Sequence, residues 1–294
     1  KNTPGEAVLR LSVNAPQGYQ FLELSKTLRL TDRSSAVECV YTYRNLPESM
    51  ASTVIEPYFR HGWSMRKNDA QRYFVPTAEG AKSIGPTGGN VYVTNAVAGW
   101  VAAGDGKSQL LACEFDYSRL AFEYFWLGGA DNTTAEWVFM PVEIACGGTF
   151  ETTQTLYPAS GISLPDGAVN GIVTGLERGG DGKLSLKVSS ASVYVLELVA
   201  KAALKNGGVK EVVKTVQTSP DSVVTVDLGV DAAAVKAVRT ILSDSGRVVY
   251  EADRAFVPGY VYKPKSAKAK PARSWLRGCS STVWENWMPQ SDCM

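Results

Sequence analysis

The stretch EPYFRHGWSM, residues 56–65, holds the only histidine of the 294-residue chain. His61 follows Arg60 and has Tyr58, Phe59 and Trp63 within three residues of it. An imidazole titrates near neutrality and can pass a proton, while aromatic rings beside a guanidinium can hold a ligand with an apolar face and a polar rim. These residue types fit proton transfer, sugar binding, or an irregular loop with one unusual side chain. They do not fit zinc. The five cysteines, Cys39, Cys113, Cys146, Cys279 and Cys293, lie far apart without a C-x-x-C pair, and one histidine cannot complete a ligand set. Cys39 shares an alternation face with Val37, Tyr41 and Tyr43 and reads as a small core thiol; a Cys113–Cys146 pair is a second option open to the sequence.

Other chemistry is scarce. The chain has no G-x-S-x-G elbow, no phosphate-binding glycine loop, and no glycine fingerprint leading into a helix. The segments DGAVNG and GGDGK are turns, since each lacks the run of oxygen ligands and the distal glutamate of a calcium loop. No metal or cofactor is expected. Asn132-Thr133-Thr134 is a glycosylation sequon, meaningful in a secretory eukaryotic setting. What stands out is an aromatic inventory: Tyr58, Phe59, Trp63, Tyr73, Phe74, Trp100, Trp126 and Trp137 crowd into one region. Trp63 and Trp100 each follow a glycine, which marks them as candidates for an open stacking surface; in AFEYFWL, either Phe122 and Tyr124 or Phe125 and Leu127 form the core pair.

The elements that must position these side chains are strands. Segments 7–13, 26–32, 36–45, 90–97, 108–116, 120–127 and 151–158 alternate in polarity or are rich in β-branched and aromatic residues, with turn clusters between them. No convincing amphipathic helix appears; the Ala-rich VDAAAVKAV, 230–238, is short and flanked by strand-like sequence. The fold class is all-β. From residue 138 to 274 there is no tryptophan, and the sequence becomes a series of short strands spaced by Gly, Asp and Ser. About seven strands in this stretch match an immunoglobulin- or fibronectin-like sandwich. The expected organisation is a first β domain at 1–158, a sandwich at 159–262, and a Lys/Ala/Pro linker with a Trp- and Cys-containing tail at 263–294.

Bulk charge narrows the partners. With 30 basic and 29 acidic residues the net charge is +1, so neither a nucleic acid nor an acidic membrane is expected as partner. No apolar run approaches the roughly 20 residues that a bilayer-spanning helix needs.

Three patterns in the first region resemble the galactose mutarotase-like "supersandwich" superfamily: SKTLRLTDRSSAVECVYTYRNLPES (25–49), IEPYFRHG (55–62) and NTTAEWVFMPVEIACGGTFETTQTLYP (132–158). The match covers the latter part of such a domain, which implies that the chain begins inside a longer protein. In epimerase members a histidine protonates the sugar ring oxygen and a glutamate takes the anomeric hydroxyl proton. By position, the resemblance assigns the acid to His61 and the base to Glu136, with Arg60, Tyr58, Trp63, Trp100 and Trp126 as substrate-binding residues. The pattern departs from the family in order, since Tyr58 and Phe59 precede His61, and the second histidine of the epimerases has no counterpart. The leading expectation is therefore a noncatalytic carbohydrate-binding or accessory region of a multidomain glycan-processing protein. An aldose epimerase-like enzyme using His61 and Glu136 is the alternative, and a structural or adhesion β protein is a third. Carbohydrate and further domains of a longer chain are the expected partners, in a secreted or periplasmic setting.

Overall fold

A computed structural model describes residues 2–14, 19–63, 71–85, 89–105, 108–127, 133–220 and 222–255, which belong to one compact unit within Lys1–Tyr262. The linker and tail at 263–294 and Asn132 of the sequon lie outside those residues.

The chain first forms β1 (Asn2–Thr3), β2 (Glu6–Asn14), β3 (Leu22–Thr31), β4 (Val37–Asn45), β5 (Thr53–Ile55), β6 (Tyr58–His61), β7 (Arg72–Thr77) and β8 (Gly80–Ile84). There follow β9 (Asn90–Val93), β10 (Trp100–Gly104), β11 (Gln109–Phe115), β12 (Leu120–Trp126), β13 (Thr134–Phe139), β14 (Val142–Ile144) and β15 (Thr149–Ser160). A nine-stranded sheet runs β1-β2-β3-β4-β15-β11-β10-β7-β8, a four-stranded sheet runs β6-β13-β12-β9, and β14 pairs with β5. Every pairing is antiparallel, and side chains alternate between the two faces of each sheet, apart from a register shift between Leu120 and Phe122 in β12. Phe59, Trp137, Ala135, Phe125, Val91 and Val93 of the four-stranded sheet meet Tyr73, Val75, Val101, Ala103, Cys113 and Phe115 of the nine-stranded sheet in one buried cluster. The all-β reading holds.

The second half contains β16 (Gly167–Val169), β17 (Ile172–Arg178), β18 (Lys183–Ser190), β19 (Tyr194–Leu204), β20 (Val209–Thr218), β21 (Val223–Asp231), β22 (Val235–Asp244) and β23 (Arg247–Ala255). They form two four-stranded sheets, β16-β17-β18-β21 and β20-β19-β22-β23, closed over Leu184, Leu186, Leu196, Leu198 and Leu242. The Ala-rich segment yields one short 3-10 turn, Ala232–Ala234, because Asp231 caps it by accepting from the Ala233 N–H at 2.8 Å and the chain then enters β22. The β22–β23 turn places Ser245 and Gly246 at positive φ, 50° and 82°, the twist that suits a tight hairpin.

The two halves share a core. Trp100 and Ala102 of β10, with Phe74 and Tyr157, lie on the face of the nine-stranded sheet away from the first cluster, and they pack with Ile162, Ala168 and Val173. Glu114 lies on that face too, accepting from the Tyr157 hydroxyl at 2.7 Å and the Gly171 N–H at 3.3 Å. Burial raises its pKa to about 7, with those two hydrogen bonds pulling the other way. Cys39, Cys113 and Cys146 are free thiols, the first two buried and the third exposed, so the Cys113–Cys146 pairing is not formed.

Candidate functional site

The register of β6 on β13 decides which residues share a surface. Ala135 lies opposite His61, Glu136 opposite Arg60, Trp137 opposite Phe59, and Val138 opposite Tyr58. Phe59 and His61 therefore point with Ala135 and Trp137 into the core, whereas Tyr58 and Arg60 point with Glu136 and Val138 to the outer face.

His61 is a core-side residue. Its ring stacks on Trp137 at 4.5 Å and 15°, and Phe115 stacks on Trp137 at 4.6 Å and 12°. His61 Nε2 lies 3.1 Å from Gln154 Oε1, across the gap between the two sheets. Burial lowers the His61 pKa to about 4; the Gln154 hydrogen bond opposes that shift and the nearby Lys26 ammonium adds to it. The imidazole is neutral at pH 7.

The outer face has a different character. Glu136, only 6% exposed, accepts a short hydrogen bond from the Tyr58 hydroxyl and a second from Thr134 Oγ1 at 2.5 Å. Arg60 Nε stands 3.6 Å from Glu136 Oε1, with its side chain 44% exposed. Burial pushes the Tyr58 hydroxyl pKa up, and its hydrogen bond to the Glu136 carboxylate pushes the same way, so Tyr58 stays a neutral donor. On β12, Tyr124 is opposite both Glu136 and Tyr92 of β9, and Trp126 is opposite both Thr134 and Asn90. The Tyr92 ring lies 4.8 Å from Tyr124 and 6.0 Å from Phe122. A cross-strand row Arg60–Glu136–Tyr124–Tyr92 thus crosses the face, with Tyr58 and Trp126 on either side. Three neighbour steps of roughly 4.8 Å make that row about 14 Å long.

Of the residues singled out in the sequence, Tyr58, Arg60, Trp126 and Glu136 share this face; His61, Trp63 and Trp100 do not. Trp63 is 8% exposed, packed near His61, Tyr73 and Trp137 at 5.3, 6.5 and 6.2 Å. Trp100 is 1% exposed and belongs to the core shared by the two halves. The glycine beside it marks close chain approach, because a Cβ on Gly99 would collide with the Phe115 carbonyl. A Cβ on Gly62 would meet nothing within 4 Å among the described residues. Tyr92, Phe122, Tyr124 and Thr134 are face residues that the sequence reading did not assign to a site. Alternation in NVYV and AFEYFW carries the signal, since it sets Tyr92, Tyr124 and Trp126 apart from Val91, Val93 and Phe125.

No protein-family model matches the chain, and no curated protein matches it. Solved structures similar to it include galactose mutarotase-like proteins, the group that the sequence patterns resemble. The Slr1438 protein of Synechocystis sp. PCC 6803 is 10% identical over 54% of this chain and 64% of its own, with a TM-score of 0.42. A galactose mutarotase-like protein from Clostridium acetobutylicum is 9% identical over 53% of this chain and 63% of its own, at 0.38. The heparan sulfate lyase HepC mutant from Pedobacter heparinus is 12% identical over 74% of this chain and 27% of its own, at 0.36. The chain spans less than two thirds of each of these proteins.

Proposed function

We propose that the outer face of β6-β13-β12-β9 binds a saccharide, as the carbohydrate-binding part of a larger glycan-processing protein, with the 159–262 sandwich as its support. The observation that carries this reading is the row Arg60–Glu136–Tyr124–Tyr92 flanked by Tyr58 and Trp126. Aromatic rings offer flat apolar surface to the C–H faces of a pyranose, and Arg60 and the Tyr58 hydroxyl, both held by Glu136, supply polar groups for its hydroxyl rim. Glu136, fixed by Tyr58 and Thr134, anchors Arg60 in turn, so the polar group that meets a ligand is ordered in advance and less ordering entropy is lost on binding.

The reading is a binding reading and not one of proton transfer between His61 and Glu136, because acid and base must flank one pyranose and these two groups face opposite sides of a sheet. Calorimetric titration against a panel of tetrasaccharides tests it. Tyr92→Ala and Trp126→Ala are expected to weaken a binding tetrasaccharide about 3- to 10-fold each, the loss of one aromatic contact. Unchanged affinity in both variants contradicts the assignment of the face.

A further inference from the structure

We infer that this face is built for an acidic saccharide, with Arg60 receiving a uronate carboxylate; the inference rests on the saccharide reading above. The guanidinium of Arg60 presents five N–H donors, and among the described residues none of them is within hydrogen-bond distance of an acceptor. Among the described residues its one ion-pair partner is Glu136, at 3.6 Å from Nε, and the arginine side chain is 44% exposed, which leaves room for a ligand at the guanidinium. Glu136 is already served by the hydroxyls of Tyr58 and Thr134. Its negative charge is thus spread over three neighbours, and it orients the arginine more than it consumes it.

Space favours an incoming group at the same place. Gly62, just past the end of β6, adds no side chain, and among the described residues nothing lies within 4 Å of where its Cβ would stand. A planar carboxylate laid against the Nη edge forms two parallel charge-assisted hydrogen bonds, a geometry that a hydroxyl cannot reproduce. The aromatic residues continue from this point across the sheet through Tyr124 to Tyr92, so a chain bound by its acid at Arg60 has rings to rest on at its next units.

The test uses the intact chain with galacturonate, hyaluronan and alginate tetrasaccharides, each beside its carboxyl-reduced neutral form, in isothermal titration at low and at moderate salt. The expected result is that at least one acidic tetrasaccharide binds about 10-fold or more tightly than its reduced form, and that added salt narrows the gap. Arg60→Gln, a change at a half-exposed position checked for folding by its melting curve, is expected to abolish that preference by costing the acidic form about 10-fold more than the reduced form, which loses only a hydroxyl contact with Arg60. Equal binding of both forms, or an equal loss on both in Arg60→Gln, overturns the acidic class and leaves the saccharide site standing. Absence of binding by every tetrasaccharide in both forms overturns the saccharide site itself, and this inference with it.

Discussion

His61 and Glu136 stand on neighbouring strands, one register step apart, and look out of opposite sides of the same sheet. His61 is stacked on Trp137 and bonded to Gln154 inside the sandwich; Glu136 is bonded to Tyr58 and Thr134 outside it. One ring cannot touch both. The two residues that the sequence patterns put together as acid and base therefore have different surroundings, one packed between the sheets and one on the outer face proposed to bind a saccharide.

The role of His61 in stability gives a pH dependence. Its folded-state pKa, about 4, lies below the ordinary value near 6.5, so the unfolded chain takes up the proton first as pH falls. The stability that His61 contributes is complete above about pH 6.5 and is lost as pH falls toward 4, at no more than about 1.4 kcal/mol per pH unit. Urea unfolding of the parent and of His61→Gln between pH 7 and 4 measures it. The stability difference between the two should shrink on acidification, and saccharide affinity at pH 7 should stay within about 2-fold.

Glu123 is the opposite case. It projects from β12 into the core opposite Trp137 and Val93, is 0% exposed, and neither carboxyl oxygen has a hydrogen-bond partner among the described residues. Burial drives its pKa well up, so the folded protein keeps it protonated while the unfolded chain ionises it. That difference removes stability as pH rises above the unfolded value near 4.3. Glu123→Met, which keeps the volume and removes the polar head, is expected to raise stability by about 1–3 kcal/mol at pH 7 and by less near pH 4, read from denaturant midpoints. A loss of stability at pH 7 contradicts the assignment.

Trp100 should behave as a packing residue. Trp100→Ala empties a site in the core that joins the two halves and is expected to cost about 3–5 kcal/mol of unfolding free energy. Measured where the variant remains folded, its affinity for a binding saccharide should match the parent. A stable Trp100→Ala protein with lost binding places the ligand elsewhere.

The strands were legible because their side chains alternate and turn residues separate them. Segments 36–45, 108–116 and 183–190 became β4, β11 and β18 within one or two residues. Short strands escaped for a physical reason: β5, β6 and β14 have three or four residues each, too few for a period of two to emerge. Glu136 was named through the resemblance and not through a burial pattern, because every residue of β13 is buried and exposure there does not separate its two faces. Trp63 and Trp100 were misplaced by their glycines. A glycine before a tryptophan signals exposure or close backbone approach equally well, and only the Phe115 carbonyl against Gly99 distinguishes the two. Tyr58, Arg60 and Trp126 were found as residues, while the surface that unites them with Tyr92 and Tyr124 depends on a register between strands distant in sequence.

The central claim is that ligand lands on the outer face and not among the core indoles, and nitrogen–proton NMR of the tryptophan indoles reads this directly during titration with the tetrasaccharide panel. The Trp126 indole signal should shift in proportion to saturation while those of Trp63, Trp100 and Trp137 hold still. A saturating titration that moves the core indoles and leaves Trp126 unmoved, or one that moves none of the four, contradicts the account.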